Sequence, residues 1–163
     1  MLDKISWLHM NSKIVIFGDA GVGKTTLVTK LISNIYITSY IPTLNCEISE
    51  FNVGNNKIFL YDMSGMRKFD ADIEIYSHSY IGIAMFSSLQ TLQNLFIYSH
   101  IEKFHARNPD KLLILVRNKK TNENIETKIF PLIEQIKSYH ENTKYIEICP
   151  KSGENIDELI SLF

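Results

Sequence analysis

The chain has 163 residues, 45% of them apolar, which is enough for one domain with a full hydrophobic core. Its 17 basic and 18 acidic residues give a net charge of −1, so its charge does not indicate a nucleic-acid partner. The two cysteines lie far apart, the five histidines show no metal-ligand spacing, and no apolar run approaches the roughly 18 residues that span a bilayer. We therefore expect a cytoplasmic protein without a disulfide framework.

The first predicted strand, residues 13–17, leads into a glycine-rich stretch, and a helix is predicted over residues 24–33. The stretch has the pattern Gly-x-x-x-x-Gly-Lys-Thr, which between a strand and a helix is typical of a phosphate-binding loop. Its glycines let successive N–H groups face one anion, and the helix N-terminus adds the positive end of its dipole. The residues expected to bind a nucleotide here are Asp19, Ala20, Gly21, Val22, Gly23, Lys24, Thr25 and Thr26.

A long exposed loop is predicted after the first helix, and a β-hairpin follows it. Pro42 biases the residue before it away from a helical conformation. Residues 46–53 alternate with period two, and residues 57–62 return after a Gly-Asn-Asn turn. A short helix around residues 69–77 is expected next.

The second half of the chain alternates strands with helices. Two of its strands are apolar throughout, which is typical of strands buried on both faces. The elements predicted in order are strand 81–86, a helix capped by Thr91 that contains Phe104, strand 111–116, helix 126–139 or a shorter helix from Pro131, strand 145–149 and helix 156–163.

This order predicts an α/β architecture of the P-loop NTPase type. We expect a mainly parallel six-stranded sheet with one antiparallel edge strand and helices on both faces. Right-handed crossovers place the carboxyl ends of the parallel strands on one side, so the loops after these strands should assemble the ligand site.

The later loops on that side carry groups suited to the phosphates and to a metal ion. Thr25 and Thr43 each offer a hydroxyl to Mg²⁺, and Asp62 is expected to hold the same ion through a water molecule. Gly65 could donate its N–H to the γ-phosphate.

Two further loops suit a purine base. The amide of Asn118 can meet the purine edge, and the stem of Lys119 can lie over the ring. Cys149, Pro150 and Lys151 follow the last strand and could support the base with a backbone N–H and a lysine stem. Each short motif alone is also an ordinary turn, so the prediction depends on their joint order along the chain.

In this order the motifs resemble those of Ras-superfamily small GTPases, most of all the Rab branch, from residue 13 to residue 163. The matching segments are the phosphate loop, the first-switch Tyr-Ile-Pro-Thr ending at Thr43, Asp62-Met-Ser-Gly65 of the second switch, the Asn118-Lys119 guanine motif, and the last loop with its Gly-Glu-Asn continuation. The resemblance implies a G domain at 13–163 after an N-terminal extension at 1–12. Members of the Rab branch carry a flexible tail that ends in prenylated cysteines, and this sequence ends at Phe163 without one. We expect either a shortened chain or a domain of a larger, tandem protein.

The resemblance also implies ligands, partners and a location. It implies GTP/GDP and Mg²⁺ as ligands, effector proteins that bind the switch regions, an exchange factor and a GTPase-activating protein. It implies action in the cytoplasm or at the cytosolic face of membranes, although membrane attachment cannot be predicted from this chain.

The second switch departs from the family pattern. Met66 stands where the resemblance implies a catalytic glutamine, and Arg67 replaces the neighbouring acidic residue. A thioether is only a weak acceptor and no donor, so it cannot orient the attacking water. We therefore expect slow intrinsic hydrolysis and assign no catalytic residue.

The base motifs depart as well. Thr121 stands at the position of the base-reading aspartate, and Pro150 has no N–H for the guanine oxygen. Lost charge-assisted hydrogen bonds contribute roughly 1.5–3 kcal/mol each, so guanine preference should weaken unless water or Glu123 compensates. A register slip of one or two residues within residues 120–124 is the alternative interpretation.

Three functions remain open at this point. The first is a Rab-like GTP-binding switch in vesicle trafficking or signalling. The second is a pseudo-GTPase interaction module with little or no nucleotide binding, which the departures favour and the intact phosphate loop disfavours. The third is a phosphate-loop kinase for a small molecule, although the sequence shows no arginine-rich lid.

Overall fold

A computed structural model describes residues 12–37, 39, 42–66, 73–120 and 127–163. Its strands are β1 (Ser12–Phe17), β2 (Cys46–Val53), β3 (Asn56–Met63), β4 (Ile81–Phe86), β5 (Leu112–Asn118) and β6 (Thr143–Ile148). Its α-helices are α1 (Lys24–Ser33), α2 (Leu89–Leu92), α3 (Leu95–Arg107), α4 (Phe130–Tyr139) and α5 (Ile156–Ile160), and 3₁₀ turns cover Ile73–Tyr76 and Thr127–Ile129.

The six strands form one sheet in the order β2–β3–β1–β4–β5–β6. β2 runs antiparallel to β3, and the other four neighbouring pairs are parallel. The predicted P-loop NTPase fold, with one antiparallel edge strand, is therefore confirmed. The hairpin pairs Glu47 with Asp62, so the cross-strand neighbour of the predicted metal-binding acid is itself acidic.

The sheet is buried on both faces, as its apolar strands predicted. In β1, Ile14 and Ile16 pack into one cluster with α1 and α5, while Val15 and Phe17 pack into a second cluster with α3 and α4. All four side chains are inaccessible to solvent. The helices thus cover both faces, and the strand ends are left for the loops.

The helix after β4 differs from the prediction because the chain contains two competing caps. Thr91 is not an N-cap; it lies inside α2, where it completes a capping box with Ser88. Asn94 then adopts an extended conformation and caps a separate helix, α3, by accepting a hydrogen bond from the N–H of Phe96. The predicted single helix is therefore two.

Other predicted boundaries also differ, among them β5, which ends at Asn118 and not at residue 116. Cys149 is not the last residue of β6 but forms an isolated bridge with Glu154. α4 has Pro131 in its first turn, as the alternative start predicted, and α5 ends at Ile160 because the following N–H groups form tighter i→i−3 bonds. Residues 1–11 of the predicted extension and residues 69–72 of the predicted short helix lie outside the described residues.

Within the described ranges, no helix has both the length and the apolar character needed to cross a membrane.

A histidine pair joins α3 to the end of α4. Nδ1 of His105 lies 2.9 Å from Nδ1 of His140, and Nε2 of His140 lies 2.7 Å from the carbonyl oxygen of Lys111. Because a carbonyl only accepts, neutral His140 donates from Nε2 and accepts on Nδ1. Burial lowers the pKa of His140, and the neighbouring imidazole of His105 lowers that pKa further. The Lys111 carbonyl and the Asp110 carboxylate oppose this shift.

We expect the free energy of unfolding to fall between pH 7.5 and pH 5.5 because of this pair. The unfolded chain takes up a proton near the ordinary histidine pKa of about 6.5, whereas folded His140 resists protonation, so this stability is present above that pH and lost below it. Urea denaturation at both pH values should show a smaller pH dependence for His140→Gln. The control His78→Asn, at an exposed histidine, should keep the wild-type dependence; an unchanged dependence in His140→Gln contradicts the assignment.

Candidate functional site

A cavity of about 890 Å³ opens where the loops at the carboxyl edge of the sheet meet. This volume suits a ligand of nucleotide size. The structure brings together on its wall the predicted residues Ala20, Gly21, Val22, Gly23, Lys24, Thr25, Thr26, Thr43, Gly65, Asn118, Lys119, Cys149, Pro150 and Lys151, together with Met66.

Two glycines fix the phosphate loop between its neighbours. Gly18 has φ 145°, and a Cβ there would lie 2.1 Å from the carbonyl oxygen of Met85. Gly23 has φ 101°, and a Cβ there would lie 2.2 Å from Nδ2 of Asn118. That amide donates to the carbonyl oxygen of Val22 over 2.9 Å. Both glycines of the motif are therefore required by close contacts as well as by their conformation.

The ammonium group of Lys24 is buried inside this loop. Its Nζ donates to the carbonyl oxygens of Gly18 and Asp19, at 3.0 and 2.9 Å. Burial lowers the pKa of Lys24 to about 8, against the raising effects of the Asp62 and Asp19 carboxylates. A phosphate group in the loop would give this cation a stronger partner than two carbonyl oxygens.

The three predicted metal ligands meet beside Lys24. Oγ1 of Thr25 donates to Oδ2 of Asp62 over 2.5 Å and lies 3.0 Å from Oγ1 of Thr43. Burial raises the pKa of Asp62, and hydrogen bonding to Thr25 and the charge of Lys24 oppose this shift. Oδ1 of Asp62 is buried and has no hydrogen-bond partner among the described residues. This set of hard oxygen groups, with one buried acceptor to spare, fits Mg²⁺.

The second-switch segment packs directly on the phosphate loop. A Cβ on Gly65 would lie 2.4 Å from the backbone nitrogen of Ala20, so only glycine allows this approach. Met66 follows on the cavity wall, and its N–H lies 3.2 Å from Oγ of Ser64. The Met66 side chain brings no donor to this wall.

At the base end of the cavity, the N–H groups of Lys119 and Cys149 already have partners within the chain. Nζ of Lys119 donates to Oε1 of Glu154 over 2.6 Å, and its backbone N–H donates to Ile148. The N–H of Cys149 donates to the carbonyl oxygen of Glu154 over 3.1 Å, and Pro150 has none. The predicted N–H for the base is therefore not available from either Cys149 or Pro150.

Some sequence predictions concern residues outside the described ranges. They are the base-reading position Thr121, the compensating Glu123, Tyr40 and Ile41 of the first switch, and Arg67.

Sequence reasoning also missed part of the wall, and two of the predicted site residues, Asp19 and Asp62, do not line it. The wall further contains Tyr36, Ile37, Ser39, Pro42, Glu47, Ser87 and Lys120. Ser87 directly follows β4, so the rule that ligands meet the loops after parallel strands could have identified it. Asp19 does not line the cavity, because its carboxylate accepts a hydrogen bond from Asn94 over 2.7 Å.

The phosphate loop follows β1, which is third in the order of the strands across the sheet, and the sheet has one antiparallel edge strand. This arrangement defines the class: a nucleotide-binding domain with the small-GTPase topology. The family described as "Ras of Complex, Roc, domain of DAPkinase" matches residues 13–121, more than half of the chain. The Ras-related protein RABD2b of Arabidopsis thaliana is 23% identical over 156 residues, which cover 90% of this chain and 75% of that protein. The chain belongs to the Ras superfamily of small GTPase domains and resembles its Rab branch.

We expect Asp62→Asn to raise the Mg²⁺ concentration needed to retain the nucleotide by about tenfold or more. An amide holds the water shell of the ion less well than a carboxylate does. Release of fluorescent GDP across a Mg²⁺ series measures this change. Ligand-free Asp62→Asn should also resist urea better than wild type at pH 7.5, because the amide buries no charge.

The matched control for that substitution is Asp157→Asn, at an exposed acid in the first turn of α5. It should leave both measurements unchanged. Wild-type Mg²⁺ dependence in Asp62→Asn would show that the carboxylate has no part in holding the ion.

Proposed function

We propose that the protein is a molecular switch that binds GTP or GDP with Mg²⁺ in the cavity at the carboxyl edge of the sheet. The observation that carries the proposal is the convergence of Thr25, Thr43 and Asp62 beside the buried Lys24. Thr43 belongs to an exposed loop, so a γ-phosphate and its metal can order that loop by binding its hydroxyl.

We propose that residues 13–163 act as the G domain and residues 1–12 as an extension. Effector proteins would bind the surface next to Thr43, whose conformation would depend on the bound nucleotide. Leu44 and Ile48 are 60% and 57% exposed next to Thr43, an apolar pair that suits a protein partner. An exchange factor and a GTPase-activating protein would set the nucleotide state. Similarity to the Rab branch supports a role in vesicle trafficking or signalling, in the cytoplasm or on the cytosolic face of a membrane.

We propose that intrinsic hydrolysis is slow. Met66 lies on the cavity wall after Gly65, where the attacking water would have to be oriented. Its thioether cannot donate to that water or accept from it strongly. A partner protein would then supply the missing group.

A pseudo-GTPase with little nucleotide binding is the second candidate function. The base end favours it, because the N–H of Cys149 already bonds to Glu154 and Pro150 has none. The preserved phosphate and metal end opposes it. Nucleotide content separates the two functions.

We expect protein purified in Mg²⁺ to carry close to one guanine nucleotide per chain, most of it GTP. The buried lysine and loop N–H groups hold the phosphates tightly, and slow hydrolysis would preserve the triphosphate. Denaturation followed by chromatography measures the amount and the identity. Lys24→Ala should lose the nucleotide.

Competition between GTP and ATP extends this measurement to the base. Loss of one charge-assisted bond costs roughly 1.5–3 kcal/mol, so the preference for GTP should be well below that of an ordinary family member. A protein that is purified without nucleotide and binds neither added GTP nor added ATP would contradict the proposed switch and favour the pseudo-GTPase. Bound ADP or ATP would show that the base preference has changed.

We expect Met66→Gln to hydrolyse bound GTP roughly tenfold faster in a single turnover, because an amide can orient the attacking water. Single-turnover phosphate release measures the rate. Met66→Leu is the matched control, since it removes the sulfur without adding a donor, and it should remain slow. Equal rates for the Gln and Leu variants would mean that the slow step does not depend on this position.

A further inference from the structure

The second residue of the phosphate loop is bonded to the start of α3. Nδ2 of Asn94 donates to Oδ2 of Asp19 over 2.7 Å, although the two residues are 75 positions apart. Oδ1 of the same Asn94 accepts from the N–H of Phe96 over 3.1 Å and caps the helix. One amide therefore serves both the helix and the loop.

Asn94 is held by a rigid element. Ile97, in the first turn of α3, belongs to the core cluster on that face of the sheet, and the neighbouring Phe96 is buried against His100. The N–H of Ile97 also donates to the carbonyl oxygen of Asn94 over 3.1 Å. The packing of α3 on the core thus fixes the position of the Asn94 amide. That amide in turn holds the Asp19 carboxylate by a hydrogen bond.

The direction of that carboxylate matters because it lies in a loop built for anions. Every residue from Ala20 to Thr26 lines the cavity, but Asp19 does not. Its carbonyl oxygen faces inward to Lys24, whereas its carboxylate faces Asn94. A carboxylate that turned into the loop would repel the phosphates and compete for the same lysine.

We propose that Asn94 is a positioning residue for nucleotide binding, which holds the Asp19 carboxylate against α3 and out of the phosphate site. The inference rests on the proposed function, since it concerns the same site. When the bond is lost, the carboxylate loses its contact with α3 and can turn towards the bound phosphates, and the nucleotide dissociates faster.

Asn94→Asp tests the proposal without removing the helix cap. Aspartate caps a helix as well as asparagine does, but it replaces the donor to Asp19 with a second anion. Release of mant-GDP in Mg²⁺, followed by stopped flow, should become roughly tenfold faster, the size expected for a lost bond to a charged group. Far-UV circular dichroism of the ligand-free protein should stay close to that of wild type, which shows that the fold is kept.

A second variant separates repulsion by the carboxylate from a simple tether. Asn94→Asp with Asp19→Ala also lacks the bond and keeps the cap, but it has no carboxylate in the loop. Release should be slower than in Asn94→Asp alone if the carboxylate is what Asn94 restrains. Fast release in both variants would mean that the bond only tethers the loop, and it would overturn the proposal.

The remaining outcomes are equally decisive. Asn52→Asp makes the same charge change on exposed β2 and should release mant-GDP at the wild-type rate. Unchanged release in Asn94→Asp overturns the proposal while leaving nucleotide binding intact. Wild-type protein that binds no mant-GDP would overturn the proposed function first, and this inference with it.

Discussion

The bond from the Asn118 amide to the carbonyl oxygen of Val22 is the constraint on which the cavity depends. It joins the carboxyl end of β5 to the phosphate loop after β1, so the base end and the phosphate end stand at a fixed separation. Gly23 leaves room for that amide, and Gly18 lets the loop rest on the carbonyl oxygen of Met85. These contacts restrict the conformation of the phosphate loop, so binding a phosphate group there would cost little conformational entropy.

The ligand-free site holds charges that folding alone would not favour. Lys24 and Asp62 are both buried, and burial shifts the pKa of each towards its neutral form. A protein with well-packed apolar residues at these two positions would often be equally stable or more stable. The buried pair therefore indicates a binding function rather than a contribution to the stability of the fold. Phosphate and Mg²⁺ would supply the missing counter-charges.

Much of the fold and of the cavity wall could be predicted because both follow from strand order. Apolar strands that alternate with helices determine which loops share an edge, and that rule reached Asp62 and Asn118. The cap at Thr91 was wrong because Ser88 and Asn94 have similar capping chemistry, and local sequence does not rank them. The link between Asn94 and Asp19 depends on how α3 packs, which no short motif encodes.

The position of β1 in the sheet has a consequence for synthesis on the ribosome. β1 emerges first, yet both of its neighbours, β3 and β4, are encoded much later in the chain. Neither edge of this apolar strand can pair until they have emerged, and the intervening chain must close as a loop. The nascent chain therefore exposes this apolar strand until β3 and β4 have been synthesised, and non-native strand pairing is the risk during that interval.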